Sequence, residues 1–178
     1  MTGCPHLIYN PVMLDIMKLG EEVLREKCTP VTEFDDSLHI LIQAMFETLE
    51  EADGVGLAAP QVGVDKRFFI VSLPDGTKRE FINPEITGFS VETNPYEEGC
   101  LSLPGVYHDV VRPSKVMINA QDANGVPFTL KASGLMARVI QHEYDHLDGK
   151  LFIDRLNEEE RKKVVSAYEK KNRRKRHR

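Results

Sequence analysis

Residues 142–146 read His-Glu-Tyr-Asp-His, a pattern of residue types that could catalyse hydrolysis. In a helix, side chains four residues apart lie on one face, so both imidazoles can reach one metal ion. Glu143 lies between them and can act as a general base toward water, as in hydrolases with an H-E-x-x-H motif. The alternative is an exposed polar helix face. The flanking residues are mostly apolar, and burying these polar groups without partners would be costly, so we predict a metal site.

A catalytic metal site usually has three protein ligands and an open position, so the two histidines need a third ligand. The sequence leaves several candidates: Cys100, His108, His39, Glu158, Glu159 and Glu160. A glutamate downstream of the motif would give a protease-like site. Cys100 follows a glycine that allows close backbone approach, and a thiolate is a strong ligand for transition metals. A lone cysteine is more often a core residue, and the spacing does not decide among the candidates.

The segment 54–61 has the sequence GVGLAAPQ, which is rich in small residues. A phosphate-binding loop is a poor interpretation because no Lys-Ser or Lys-Thr pair follows the glycines. Pro60 and the alanines indicate tight packing of the backbone instead. The glycines would allow a peptide backbone to come close, and Gln61 offers an amide donor.

The composition fits one globular domain of 178 residues, of which 41% are hydrophobic and 29% charged. No apolar run approaches the roughly 20 residues that a membrane-spanning helix needs, and the N-terminus shows no secretory signal. We therefore expect a cytoplasmic location and no membrane partner. The three cysteines, Cys4, Cys28 and Cys100, are widely spaced. An odd number of widely spaced cysteines argues against a disulfide framework.

Charge is distributed unevenly along the chain, whose formal net charge is -5. Residues 169–178 hold seven Lys or Arg and one Glu, a net charge of +6, so the other 168 residues have 16 basic and 27 acidic side chains, a net charge of -11. A basic tail on an acidic body indicates an anionic partner for the tail, although a solvated, fraying helix end would look the same. The acidic body argues against nucleic-acid binding as the main function.

Hydrophobic patterns and capping residues predict three helices. The first covers 36–52 and has one apolar face. The second covers 133–147 and is apolar nearly all the way round, which is typical of a buried helix. The third starts near Asn157, where Glu160 completes a capping box.

Short runs rich in apolar residues predict four strands, at 68–73, 80–86, 115–122 and 127–132. Asp75-Gly76 and Asn124-Gly125 mark turns between them, and the second pair is a strong hairpin signal. Strands between helices, without alternating βαβ units, predict an α+β fold. We divide the chain into an irregular arm (1–12), a single catalytic domain (13–168) and a basic tail (169–178).

Three segments together resemble the signature motifs of peptide deformylases: Gly54–Gln61 (GVGLAAPQ), Glu98–Ser102 (EGCLS) and His142–His146 (HEYDH). They occur in the family's order at similar separations, and the resemblance covers about Met13 to Asp154. It implies an enzyme that hydrolyses the formyl group from formyl-methionyl nascent peptides and releases formate. It also implies antiparallel sheets around a central helix that carries the H-E-x-x-H motif, followed by a C-terminal helix.

The resemblance also implies a ligand set and a base. Cys100, His142 and His146 would bind the metal ion, and Glu143 would be the general base or acid. The metal of this family is typically Fe²⁺, with Ni²⁺ or Co²⁺ as active substitutes and Zn²⁺ often less active.

A substrate site follows from the same resemblance. Gln61 and the backbone N–H of Leu101 are implied to bind the oxyanion. A formyl-methionyl chain would add as a strand along Gly54–Gly56. The candidate lining of the methionine pocket is Val55, Leu135, Val139 and Tyr107, for which ordinary core packing is the alternative. Glu98 and Arg112 are expected to hold the loop and the ligands in place.

Two features depart from the family pattern. Family members usually begin near the equivalent of Met13, and some have a basic residue at the position of Tyr107. Some bacterial members dock their C-terminal helix on the ribosome, and residues 170–178 are compatible with rRNA contact.

The main rival is a zinc endopeptidase of the H-E-x-x-H type with a downstream glutamate as third ligand. A protein with a purely structural metal is a weaker rival, because a structural site needs no base such as Glu143.

Overall fold

The computed structural model describes residues 12–176, with side chains described as far as Arg173. Most of the predicted arm 1–12, and the last two residues of the basic tail, lie outside this range. Within it there are three α-helices, namely α1 (Asp36–Glu51), α2 (Gly134–Leu147) and α3 (Glu158–Arg176). There are also seven β-strands, namely β1 (Gly56–Ala58), β2 (Phe68–Ser72), β3 (Lys78–Phe89), β4 (Thr93–Cys100), β5 (Leu103–Pro113), β6 (Lys115–Gln121) and β7 (Pro127–Ser133).

The strands form two antiparallel sheets. The larger sheet has the order β1-β2-β3-β6-β7, so the short strand β1 lies at its edge. The smaller sheet pairs β4 with β5. The predicted hairpin between β6 and β7 is confirmed: Gly125 has φ +78, and its N–H donates to the carbonyl of Asp122. Antiparallel pairing throughout, with helices outside the sheets, confirms the predicted α+β fold class.

Alternating side chains of β2 and β3 build two apolar layers on opposite faces of the larger sheet. Phe69 and Phe81 face α2, where they pack with Val139. Phe68 and Ile82 face the other way and belong to the layer that includes the apolar side of α1. Because successive residues of a strand point to opposite faces, a strand buried on both faces is apolar at every position, as the run 68–71 is.

Helix α2 lies between the larger sheet and the β4–β5 sheet, and it carries His142–His146. Its start and end follow local rules. Ser133 precedes it in an extended conformation but makes no side-chain cap. Gly149 follows it at φ +68, where a Cβ would meet the backbone oxygen of Arg25 at 2.5 Å. A glycine is therefore required just beyond the end of α2.

Helix α3 packs against β5 and the turn at 152–155. The predicted capping box is confirmed, because the Asn157 side chain accepts from the N–H of Glu160 and the Glu160 carboxylate accepts from the N–H of Asn157. Residues 169–176 of the basic tail continue this helix. The division of the chain into 13–168 and 169–178 therefore stays a prediction.

The sequence patterns missed the smaller sheet. β4 contains Asn, Pro and two Glu, and β5 contains two Pro and a Gly, so neither has the apolar alternation that marks a strand. β1 has three residues, too few for any periodicity. The four predicted strands are confirmed as β2, part of β3, β6 and β7.

None of the helices in the range 12–176 has the length and apolar character needed to cross a membrane.

We predict that Phe81→Ala lowers the free energy of unfolding by about 3–5 kcal/mol, because truncating a buried aromatic residue leaves a cavity. Phe81 is fully buried and stacks on Phe69 with ring centroids 4.8 Å apart. Urea unfolding followed by circular dichroism measures the change. Phe89→Ala is the matched control, since Phe89 is 59% exposed. Equal losses in the two variants would contradict this account of the core.

Candidate metal centre

The structure brings together Cys100 at the end of β4 and the two motif histidines on α2. One ligand atom from each of Cys100, His142 and His146 lies within 4.8 Å of the other two. The Sγ of Cys100 is 3.4 Å from Nε2 of His146. Four-residue spacing on α2 places both imidazoles on one side of the helix, with ring centroids 5.1 Å apart.

A metal ion fits this group of donors. A thiolate and two imidazoles form a set that first-row transition metals prefer, and three protein ligands leave a position open. Oε2 of Glu143 is buried beside these donors without a hydrogen-bond partner among residues 12–176. Burying such polar groups is costly unless something else compensates them. The three side chains therefore form a group that could hold a metal ion.

His142 is oriented by a carboxylate outside the ligand group. Its Nδ1 lies 2.8 Å from Oε2 of Glu98, which leaves Nε2 as the nitrogen available for a metal. Arg112 donates from Nε and Nη2 to the two oxygens of Glu98 at 2.7 and 2.9 Å. Both residues are buried, as the expected supporting role of Glu98 and Arg112 requires.

These neighbours change the pKa of the ligands. Burial raises the pKa of the Cys100 thiol, but His146 and His142 lower it more, so it lies well below its ordinary value of 9.0. Burial likewise raises the pKa of Glu98, yet the hydrogen bonds from His142 and Arg112 hold it far below 4.5. Cys100 is therefore poised as a thiolate and Glu98 as a permanent anion.

Glu143 has the opposite environment. It is buried next to the ligands, and burial raises its pKa from 4.5 to about 7, against the lowering effect of His142 and His146. A carboxyl group with a pKa near neutrality can both accept and donate a proton at physiological pH.

Gln61 and Leu101 reach the same place from two other segments. Gln61 lies in a short 3-10 helix (Ala59–Val62), where its Oε1 accepts from the N–H of Ala58 at 2.8 Å. Its Nε2 donates to Sγ of Cys100 at 3.5 Å and to Oγ of Ser102 at 3.2 Å. Leu101 is the next residue after Cys100, so both predicted oxyanion groups lie next to Cys100.

A stretch near the start of the described chain joins these two segments. The N–H of Met17 donates to the carbonyl of Gln61 at 2.7 Å, and the N–H of Leu19 donates to the carbonyl of Ser102 at 2.9 Å. The ammonium of Lys18 donates to the carbonyl of Leu101 at 2.8 Å. The sequence patterns did not reveal this connection, because backbone bonds between distant segments have no local signature.

A pocket of about 480 Å³ opens onto Cys100, His142 and Glu143. The other predicted site residues that line it are Gly54, Val55, Gly56, Gln61, Glu98, Leu101, Tyr107, Leu135 and Val139. Arg112 lies behind Glu98 and does not line it.

The other candidates for the third ligand lie elsewhere. His39 is exposed on α1, and His108 contacts the carbonyl of Asp109 on β5. Glu158 and Glu159 form helix-surface pairs with lysines, and Glu160 serves the capping box. Among residues 12–176, the cluster that could hold a metal is Cys100, His142 and His146.

Sequence reasoning did not single out Arg138 and assigned no partner to Asp145. Arg138 is buried on α2 and donates from Nη1 to Oε1 of Glu98 at 2.9 Å. Asp145 is also buried, where it accepts from Nη1 of Arg112 at 2.7 Å and pairs with Arg155. The available signal was a charged residue inside an otherwise apolar helix, which requires a buried partner of opposite charge.

The fold and the Cys-His-His group with an adjacent glutamate define a metal-dependent hydrolase. The sequence matches the polypeptide deformylase family over residues 13–162. It is 47% identical to the peptide deformylase of Treponema pallidum over 155 residues, which covers 87% of this chain and 95% of that protein. It is 46% identical to the enzyme of Azotobacter vinelandii over 163 residues, covering 90% and 97%.

Comparison with solved structures indicates the same family. A peptide deformylase from Legionella pneumophila superposes with a TM-score of 0.88 at 40% identity, covering 93% of this chain and 99% of that one. The enzyme from Synechococcus elongatus, in complex with actinonin, superposes with a TM-score of 0.84 at 43% identity, covering 89% and 88%. This chain belongs to the polypeptide deformylase family.

We predict that Asp145→Asn lowers the free energy of unfolding of the metal-free protein by about 3 kcal/mol at pH 7, since it leaves two buried or half-buried guanidiniums without their carboxylate. Burial raises the pKa of Asp145, but Arg155 and Arg112 hold it below its ordinary value of 3.8. A carboxylate whose pKa is lower in the folded state than in the unfolded state stabilises the fold at a pH above the unfolded pKa. This stabilisation is lost as the pH falls from the unfolded pKa through the folded pKa. The difference between parent and variant should therefore shrink as the pH falls below the ordinary value of 3.8.

Urea unfolding of EDTA-treated protein across this pH range measures the effect without a contribution from metal release. Asp109→Asn, at an exposed carboxylate on β5, is the control and should change stability little at any pH. A pH-independent loss in Asp145→Asn would contradict the assigned ionisation.

Proposed function

We propose that this chain hydrolyses the N-terminal formyl group of formyl-methionyl nascent peptides, with the residues of the metal centre in the roles that follow. The observation that carries the proposal is the position of Glu143. It is buried beside Cys100, His142 and His146 and lines a pocket of about 480 Å³. Family membership supports the same reaction.

Cys100, His142 and His146 would hold a divalent metal ion, which we propose to be Fe²⁺. Such an ion, when bound, supplies Lewis-acid polarisation of the formyl carbonyl and lowers the pKa of water. The thiolate needed for binding is favoured by the lowered pKa of Cys100.

Glu143 is the proton carrier. As its carboxylate it accepts a proton from the attacking water, whose oxygen bonds to the formyl carbon. It then donates this proton to the leaving nitrogen as the C–N bond breaks, so formate and a free amino terminus leave together. A pKa of about 7 suits both halves of this cycle.

Gln61 and the backbone N–H of Leu101 stabilise the oxygen that becomes negative when water adds. Preorganised donors at such an oxygen lower the barrier because they need no reorientation during the reaction. Oε1 of Gln61 is bonded to the N–H of Ala58, which directs its amide nitrogen toward Cys100 and Ser102. Residues 17–19 hold the two segments together.

The peptide binds between two open strand edges. β1 is the edge of the larger sheet, and β4 belongs to a two-stranded sheet, so backbone groups of Gly54–Gly56 and Glu97–Gly99 can pair with an added strand. Leu135 and Val139, with Val55 at the rim, form the apolar part of the pocket for the methionine side chain. Tyr107 is 63% exposed on the opposite rim and would contact the peptide further along.

The zinc endopeptidase reading has less support. It needs a glutamate ligand downstream of the motif, whereas Glu158–Glu160 begin α3 and take no part in the described metal cluster.

We predict that Glu143→Gln reduces formate release by about 10²–10⁴-fold, since an amide cannot accept and return the proton. The assay uses anaerobically Fe²⁺-loaded protein and a short formyl-methionyl peptide. Cys100→Ser is the companion variant and should lose metal as well as activity, whereas Glu143→Gln should keep one metal ion per chain.

Two outcomes would count against the proposal. If the metal-loaded, folded parent released no formate, the reaction would be wrong. If Glu143→Gln retained near-parental turnover with full metal, the assigned base would be wrong. Cleavage of an unformylated peptide by Cys100→Ser would favour the endopeptidase.

We also propose that the enzyme is cytoplasmic and that its basic tail binds the ribosome. Residues 169–178 have a net charge of +6, and most of them form the last turns of α3, where Lys171 donates to the carbonyl of Gly105, a residue that lines the pocket. Cationic side chains on one helix end favour binding to phosphate-rich rRNA.

Deleting residues 172–178, which keeps Lys171 and its contact with Gly105, should therefore reduce co-sedimentation with ribosomes at low salt while leaving turnover of a short formyl peptide unchanged. Raising the salt concentration should release the parent enzyme in the same way. Unchanged co-sedimentation of the shortened chain would rule out this role for the tail.

A further inference from the structure

Arg138 is held by all four N–H groups at the ends of its guanidinium. Nη1 donates to Oε1 of Glu98 at 2.9 Å and to the carbonyl of Val110 at 2.8 Å. Nη2 donates to the carbonyl and the side-chain oxygen of Asn94, at 2.8 and 2.9 Å. The guanidinium also lies over the ring of Tyr96, with Cζ 5.6 Å from the ring centroid. Arg138 therefore joins α2 to both strands of the smaller sheet.

The Glu98 carboxylate bridges one turn of α2. Its Oε1 accepts from Arg138 and its Oε2 contacts His142, four residues later on the same helix. The distance between two side chains one turn apart is fixed by the helix, so the carboxylate cannot shift along α2 without breaking one contact. Arg112 holds the same carboxylate from β5. The ring of His142 is thus oriented by a carboxylate that Arg138 fixes relative to the helix.

We propose that Arg138 is a positioning residue for the metal centre, acting through Glu98 to hold the His142 imidazole in the orientation that binds metal. The inference rests on the proposed metal site and adds to it a residue that touches none of the ligands. The planar, forked guanidinium of Arg138 is needed for this role, because it donates to a carboxylate and to two backbone carbonyls in different directions.

A purely electrostatic effect of Arg138 on the metal ion predicts the opposite change in metal binding. The experiment can therefore distinguish positioning from charge. Arg138 is a buried cation near a site for another cation. Removing its charge would strengthen metal binding if only Coulomb interactions mattered. Losing its geometry would weaken metal binding if positioning matters. Arg138→Met removes charge and fork together, whereas Arg138→Lys keeps the charge and removes only the fork.

The measurement is the rate at which Co²⁺ leaves the loaded protein for an excess of chelator, followed by the absorption of the Co²⁺–thiolate chromophore. We expect release from Arg138→Lys and Arg138→Met to be faster than from the parent by about tenfold or more, the usual effect of removing a hydrogen-bond partner behind a ligand. The Co²⁺ spectrum of both variants should also change, because the coordination of His142 is altered.

Arg67→Met is the matched control for general destabilisation. Arg67 also stacks on a tyrosine of α2, with Cζ 4.9 Å from the Tyr144 ring, and donates to Asp148 and to the carbonyl of Leu147. It lacks any contact with Glu98 among the described residues. Its variant should lose thermal stability yet release Co²⁺ within about twofold of the parent rate.

Parental release and spectrum in Arg138→Lys would overturn the proposal, as would slower release from Arg138→Met or equal acceleration in Arg67→Met. If Arg138→Met does not fold, Arg138→Lys decides. A parent that binds Co²⁺ and releases formate while the Arg138 variants behave normally would refute this inference alone. A parent that binds no Co²⁺ would overturn the metal centre and the proposed function with it.

Discussion

The carboxylate of Glu98 is buried. A buried charge is stable only if hydrogen bonds and opposite charges compensate for the loss of hydration. It contacts Arg112 twice, Arg138 once and His142 once, all at 2.7–2.9 Å. These partners come from β5 and from two successive turns of α2. Satisfying one buried charge therefore fixes the smaller sheet against the motif helix. Cys100 lies two residues beyond Glu98 on β4, so the same constraint places the thiol beside the two histidines.

Two buried carboxylates next to the metal centre have opposite properties because their partners differ. Glu98 is surrounded by donors, so its pKa falls far below the ordinary value. Glu143 is as deeply buried but has no hydrogen-bond partner for Oε2 among the described residues, and burial raises its pKa to about 7. One carboxylate is a permanent anchor and the other can exchange a proton near neutral pH. Environment divides the roles, as it does in other enzymes with paired carboxylates.

Local patterns in the sequence predicted what depends on local physics. Hydrophobic patterns predicted α1 and α2, a capping box predicted the start of α3, and Asn124-Gly125 predicted the β6–β7 hairpin. The histidine pair was visible because its spacing is a property of the helix itself. The choice of Cys100 over His39 or His108 was not available from spacing, since proximity between β4 and α2 is decided by tertiary packing. Only the resemblance singled out Cys100. Arg138 escaped notice because its partners, Glu98 and two backbone carbonyls, lie about 28–44 residues away along the chain.

Close packing explains two glycines near the pocket, Gly56 in the glycine-rich segment and Gly99 on β4. A Cβ on Gly56 would lie 2.4 Å from Oε1 of Glu143 and 2.7 Å from Val139, so no larger residue fits where β1 crosses α2. A Cβ on Gly99 would lie 2.6 Å from the ring of Tyr107. Gly56 is therefore required by the close approach of β1 to α2, and Gly99 by its cross-strand neighbour on β5, rather than by turn formation. The glycine at position 56 lets the open edge of β1 come near Glu143, where an extended peptide end could pair with it.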